Sequence, residues 1–309
     1  MSEALPEAVR ADLRRAATLV ARTPEGWSVD GLPAGEGAPA LADGLYAGWY
    51  TRPATAPPLV AGDPPLHRRR LLAGLRAAAA RPSTNPRGWT VIAGDPHGSL
   101  LATRGEQLRR LRPGDYVAPG RPGAPAAPGE EVIPAAEPDQ LDAESWLWWT
   151  WSDPGPEPPF GRLYLNARPA TAPRAVHEMA HALAGVAFRL KCPIEAAACE
   201  RVDAIVVYHA HDQRAEALAL LSERWAVLGP LLDPAVPALT CAARPGLAWA
   251  DDVEAERSYG ETRCHAVADA AQAAVADWPK LTSGERVALL VAGLRSAGID
   301  PQCPWTAQS

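Results

Sequence analysis

A chain of 309 residues that is 47% hydrophobic can bury a full core as one large or two modest domains, which excludes wholesale disorder. Its net charge of −6 gives no global basic field for nucleic acid, so any anion site must come from local arginine clusters. It shows no signal-peptide core, no twin-arginine signal and no apolar run of the ~18 residues that span a bilayer, so a cytoplasmic location is expected.

In chain order, Val9, Leu13, Ala17 and Val20 recur at helical spacing behind Pro6, which predicts a helix over residues 6–21. A Gly/Pro/Ala loop is expected through Ala42. In Asp43–Tyr50 the pairs Leu45/Trp49 and Tyr46/Tyr50 lie four apart, an aromatic helical turn or two that docks in the core. Leu71, Leu72, Leu75 and Ala79 predict a helix over 66–80. Turn chemistry at Gly94–Gly98 predicts a hairpin of 89–93 with 99–103, with Asp115–Val117 as a third strand. Residues 118–138 are rich in Pro, Ala and Gly and predict a flexible insert.

Residues 144–152 carry bulky side chains on both alternating faces, as a strand buried on both sides would. A strand around Arg162, a helix over 172–187, and strands around Lys191 and Arg201 follow. Residues 213–228 predict a helix, 230–252 an irregular segment, and 258–278 and 283–297 two closing helices, the last leaving at Gly298. The resulting fold class is α+β, a mostly antiparallel sheet flanked by helices. Its expected parts are an N-terminal helix and loop (1–42), helical turns with a β-hairpin (43–117), the insert (118–139) and an α+β core carrying the site (140–309). Cys192, Cys199, Cys241, Cys264 and Cys303 are odd in number and unpaired in spacing, which predicts free thiols.

Two patterns carry chemistry. His177-Glu178-Met179-Ala180-His181 is a literal H-E-x-x-H, in which residues four apart on a helix can share a zinc with Glu178 as general base. The metzincin continuation fails, because Ala184 and Ala187 stand where it needs glycine and histidine, and a third ligand must be drafted from Glu195 or Glu200. The competing role for both histidines is structural, beside the apolar stripe Val176, Ala180, Leu183, Ala187. The second pattern is Lys191 with Arg162, Arg201 and Arg263. Of the 30 lysines and arginines only Lys191 and Lys280 are lysine, and Lys191 lies inside an apolar run. Lysine differs from arginine chiefly in that its proton can be removed, so a lysine base among arginines is the starting hypothesis.

The ordered set Gly44-Leu45-Tyr46, Trp49-Tyr50, Gly88-Trp89, Arg162-Leu163-Tyr164-Leu165-Asn166 and Phe188-Arg189-Leu190-Lys191 resembles the Hop-type effector domain. The likeness continues through Arg201–Tyr208, Ser258–Cys264 and Gly298-Ile299-Asp300, and spans roughly residues 43–305. Such domains occur in a plant-pathogen type III effector and in actinobacterial proteins of class V lanthipeptide and thioamitide pathways. The resemblance implies a carbon-oxygen lyase that eliminates phosphate from phosphoserine or phosphothreonine of a precursor peptide, giving dehydroalanine or dehydrobutyrine. It implies a separate aminoglycoside-phosphotransferase-like kinase as partner, and no metal or organic cofactor.

The residues agree with that chemistry. Elimination needs a base for the α-proton and cations for the departing phosphate, which carries about −1.5 to −2 charge at pH 7. Lys191 takes the role of base, provided that burial and nearby charge ease its deprotonation. Arg162 and Arg201 are assigned to phosphate, with Arg263 as a third candidate at a helix start. The competing role for Arg162 and Arg201 is a buried ion pair with Asp203 or Glu200, and for Arg263 a helix surface. Asp203 and Asn166 are supporting residues. Tyr259, His97 or His265 are candidates to protonate the leaving group. The rival functions are a zinc peptidase on His177 and His181, and a non-catalytic scaffold for the kinase.

Overall fold

The computed structural model describes residues 5–52, 65–79, 87–120, 125–134, 139–142, 144–251 and 257–307. The chain opens with α1 (Glu7–Leu19), three short strands β1 (Val20–Thr23), β2 (Gly26–Val29) and β3 (Leu32–Gly35), then α2 (Gly37–Leu45) and a π-helical turn Tyr46–Tyr50. After α3 (Pro65–Ala79) comes a sheet of β4 (Trp89–Gly94), β5 (Leu100–Arg104), β6 (Gln107–Leu111), β7 (Tyr116–Val117) and β8 (Glu131–Pro134), in the order β6-β5-β4-β8-β7. The predicted hairpin is the β4–β5 pair.

The main sheet uses β9 (Asp139–Asp142), β10 (Leu147–Trp151), β11 (Phe160–Leu165), β12 (Phe188–Pro193), β13 (Ile205–Ala210), β14 (Cys241–Arg244) and β15 (Leu247–Asp251). Among the described residues its order is β14-β15-β11-β13-β12-β10-β9, and every pairing between these strands is antiparallel. Interspersed are α4 (Ala172–Ala182), α5 (Ala196–Cys199), α6 (Arg214–Glu223), α7 (Trp225–Leu228), α8 (Tyr259–Ala273) and α9 (Ser283–Ser296). The class is α+β with mostly antiparallel sheets, as expected.

Side chains alternate across a strand, so the sheet presents two faces to two helical layers. Leu163, Leu165, Phe188, Leu190, Ile205 and Val207 point to a core shared with Val176 and Met179 of α4 and Ala217 and Leu221 of α6. Tyr164, Val206, Ala248 and Ala250 point the other way, to a core shared with Tyr259 and Val267 of α8 and Leu290 of α9. The first fifty residues complete that second core with Val9, Leu13, Trp27, Leu41, Trp49 and Tyr50. They are tied in by polar contacts as well. Trp27 Nε1 donates to Gln272 Oε1 (2.7 Å), Trp278 Nε1 to the Val20 carbonyl (3.2 Å), and the Leu239 N–H to Asp12 Oδ2 (2.8 Å).

Local chemistry accounts for the elements and for the differences from expectation. Both closing helices start on a capping box, Ser258 with Glu261 and Thr282 with Glu285, which satisfies free N–H groups at each helix start. The loop expected before Ala42 contains β1–β3, whose four-residue strands are too short for a periodic signal. Part of the stretch expected as a flexible insert is β8, and Ala118, Ala126 and Val132 are buried with Trp89 and Val91, so the label fails there. Residues 121–124 and 135–138 of that stretch lie outside the described residues. The segment expected to be irregular holds the β14–β15 hairpin, turned at Gly246 with φ +79°, where a Cβ would meet the Asp233 carbonyl oxygen at 2.2 Å. The predicted 213–228 helix breaks at Arg224 into α6 and α7.

Candidate active site

Register places the cations. Arg162 of β11 is opposite Tyr208 of β13, and Tyr208 is opposite Arg189 of β12, so the three lie side by side across neighbouring strands on one face. Lys191, two residues beyond Arg189 on the same face, is opposite Trp149 of β10 and Val206 of β13. The Arg162 guanidinium sits over the Tyr208 ring at 5.0 Å, the Arg189 guanidinium over Trp149 at 4.2 Å, and Lys191 Nζ over Trp149 and Tyr208 at 5.6 and 5.9 Å. Trp149 and Tyr208 stack with ring centres 5.9 Å apart, and Phe160 meets Tyr208 edge-on. Cations over aromatic faces are held in place by the ring quadrupole, so these three lean on one platform.

Among the described residues this end of the sheet is open. The helical layer of α8 and the π-helical turn buries Tyr164 and Val206, with Tyr259 6.4 Å from both Tyr164 and Tyr50, and Tyr208 packs at the border of that core, half-buried. Gln140, Trp149, Trp151, Gly155, Pro156, Phe160, Arg189 and Tyr208 enclose a groove of about 460 Å³. Lys191 stands half-buried where the covered face meets the open one. On the covered side, Glu261 at the start of α8 is held below the ordinary carboxylate range. Burial pushes it up, but hydrogen bonds from Ser258 and the positive charges of Lys191 and His265 outweigh that. Of the three cations Arg189 lines the groove itself, above an aromatic floor, with Lys191 half-buried and Arg162 buried beside it; the arrangement suits an anion carried on an extended chain.

The other predicted residues are placed elsewhere. Arg201 belongs to a turn before β13, not to a strand. Its guanidinium closes on Asp203 through two bonds of 2.8 Å and donates a third, of 3.0 Å, to the Tyr46 hydroxyl. The competing ion-pair role is therefore the one seen. Burial works against that charge, but Asp203 outweighs it and raises Arg201 above its ordinary value. Arg263 is buried in the second turn of α8, not at its start or on its surface, and donates to the Pro304 carbonyl at 2.7 Å. Tyr259, also buried, shares its hydroxyl between the carbonyls of Leu239 (2.5 Å) and Pro304 (3.0 Å). It faces the interior, and burial pushes its pKa up to about 12. Asn166 ties the end of β11 to the Ala235 carbonyl at 3.0 Å. His97 lies in the β4–β5 turn, with its backbone N–H donating to Asp95, and His265 lies on α8.

In the H-E-x-x-H helix α4, His177 and His181 share the exposed face with ring centres 4.0 Å apart. Glu178 is turned to the buried side, where it pairs with Arg224 and is held below the ordinary carboxylate range mainly by that bond. Glu195, drafted as a third ligand, pairs with Arg68 at 2.8 Å. Among the described residues no group of three or more His, Cys, Asp or Glu is arranged to hold a metal ion.

Arg189, Trp149 and Tyr208 are the residues that sequence reasoning did not assign. Their signal was present in the strand period, since Arg189 and Lys191 are two apart and so share a face. The five cysteines are all free thiols.

Fold and site together define a class, an antiparallel α+β protein with a cationic aromatic groove at the uncovered end of its main sheet. The profile of the HopA1 effector protein family matches residues 142–305, just over half of the chain, and the chain belongs to that family. Among solved structures, the effector protein from Pseudomonas syringae pv. syringae strain 61 is similar at 19% identity over 97% of each chain, with a TM-score of 0.52. The effector protein from Pseudomonas syringae pv. tomato strain DC3000 is similar at 14% identity over 98% of this chain and 97% of that one, with a TM-score of 0.48. At 19% identity the likeness to the strain 61 protein is one of fold. No curated protein matches the chain.

Proposed function

We propose that this protein is a phosphoserine or phosphothreonine lyase that acts on a precursor peptide phosphorylated by a separate kinase, in the making of a ribosomal peptide natural product. What supports the reading is the grouping around Tyr208, where a half-buried lysine, Lys191, and two arginines, Arg162 and Arg189, share one aromatic platform beside an open groove. The Lys191 amine takes the α-proton. The Cα–H electron pair becomes the Cα=Cβ bond, and the Cβ–O pair leaves with the phosphate. Arg162 and Arg189 hold that phosphate through charge-assisted bonds. Arg189 thus takes the place first given to Arg201, whose guanidinium Asp203 occupies. The reaction draws on no metal or organic cofactor.

The test is elimination from synthetic phosphothreonine and phosphoserine peptides, followed as inorganic phosphate release and as the mass of the dehydrated product. Lys191→Ala is expected to lower turnover by about 10²–10⁴-fold, with intact phosphopeptide accumulating. A scaffold would lose nothing on that substitution. A zinc peptidase would cleave the backbone and lose activity on His177→Ala. Full activity in Lys191→Ala, or no elimination by the wild type from a kinase-phosphorylated peptide, would refute the lyase reading.

A further inference from the structure

A second groove opens beside the first. Arg76, Leu108, Arg109, Arg110, Arg112, Asp115, Asp139, Gln140, Leu141 and Trp151 enclose a cleft of about 350 Å³, and Gln140 and Trp151 line both grooves, so the two adjoin. The cleft has four arginines to two aspartates, on a chain whose net charge is −6. Both aspartates are occupied by the protein. Asp139 accepts from Arg76 Nε (2.5 Å) and Trp148 Nε1 (3.1 Å), which engages Arg76 as well, and Asp115 accepts the Arg112 backbone N–H (3.0 Å), while Arg109 is buried. Arg110 and Arg112 are exposed, and Leu108 beside them is 62% exposed.

Backbone geometry points to an extended ligand. Among the described residues β6 is the outermost strand of the smaller sheet and β9 of the main sheet, and both contribute residues to the cleft. An outermost strand offers backbone N–H and C=O groups to an incoming chain, while side-chain pockets set specificity. A peptide lying across Trp151 and Gln140 would run from the Lys191 groove into this cleft.

We infer that the cleft binds an acidic segment of the same peptide whose phosphorylated residue enters the Lys191 groove, with Arg110 and Arg112 reading its carboxylates. This rests on the lyase reading for the identity of the peptide, but the binding can be measured without turnover. Fluorescent, unphosphorylated decapeptides rich in Glu, and their Gln analogues, are titrated against the wild type and the double variant Arg110→Glu/Arg112→Glu. The Glu peptide is expected to bind the wild type, to weaken with added salt, and to lose about tenfold or more in affinity on the double variant. In turnover assays a Glu-flanked phosphopeptide is expected to show a lower KM than its Gln-flanked analogue, and the difference to vanish in the double variant.

Equal binding of Glu and Gln peptides, or unaltered affinity in the double variant, overturns the inference. So does displacement of the peptide by a single-stranded oligonucleotide of equal charge at lower concentration. If elimination fails while Glu-peptide discrimination persists and is lost in the double variant, the lyase reading falls and the cleft assignment stands.

Discussion

Arg201 stands ten residues beyond Lys191, yet its guanidinium is closed onto Asp203, whose side chain is only 6% exposed. Removing the arginine leaves a buried carboxylate without its partner. Arg201→Ala is therefore expected to cost about 2 kcal/mol of stability by urea denaturation, less than a fully buried pair because the arginine is partly exposed. Tyr259→Phe should cost about 1 kcal/mol for the lost hydroxyl bonds while elimination persists, since that hydroxyl faces the Leu239 and Pro304 carbonyls. A fall in turnover like that of Lys191→Ala would return Tyr259 to the reaction. The sequence makes Lys191, Arg162 and Arg201 conspicuous, because each lies in or beside an apolar run. It does not tell whether Arg201 meets a substrate or a partner within the protein, because an aspartate two residues away fits both roles. Only the position of Asp203 in three dimensions decides between them.

At the scale of elements, α8 carries the tightest approach in the helical layer. A Cβ on Gly260 would meet the Tyr50 ring at 2.4 Å, and Tyr50 is itself fully buried. Gly260→Ala is expected to destabilise by about 1–3 kcal/mol, because neither the helix nor the ring has room to yield. Ser258→Ala, which breaks the capping box, should cost about 1 kcal/mol without altering the groove. Both are read by thermal denaturation. Helices such as α8 and α9 are legible because capping residues and a long apolar stripe announce them. β1–β3 and β14–β15 are not, because four or five residues are too few to show a period, and which of them pair is settled only in three dimensions. The sheet edge that makes the groove was hidden for the same reason, since register across three strands is a tertiary fact.

For the molecule as a whole, Asp12 is an acid whose charge opposes folding. Burial pushes its carboxyl up to about 6, against the Leu239 N–H and Arg15, which pull it down. The folded state therefore holds the proton more tightly than the unfolded chain, whose aspartates titrate near 3.8. The stability this contributes is present below that lower value and is lost as pH rises through about 6. Asp12→Asn, which keeps an acceptor for Leu239, is expected to remove a decline of roughly 1–2 kcal/mol between pH 4 and pH 7 in urea melts; identical pH profiles for the two proteins would contradict this.

The same contact belongs to a seam between the first fifty residues and the family-matched portion, at residues 142–305. A gene fragment cut at the family boundary would encode a helical layer with one flank stripped of Trp27, Trp49 and Tyr50, its tryptophan indole at 278 robbed of an acceptor on Val20. Such a product should clump in size-exclusion chromatography where residues 5–307 elute as a single species. Anyone transplanting the groove to another scaffold has to bring the opening helices and their small hairpins along as part of the same graft.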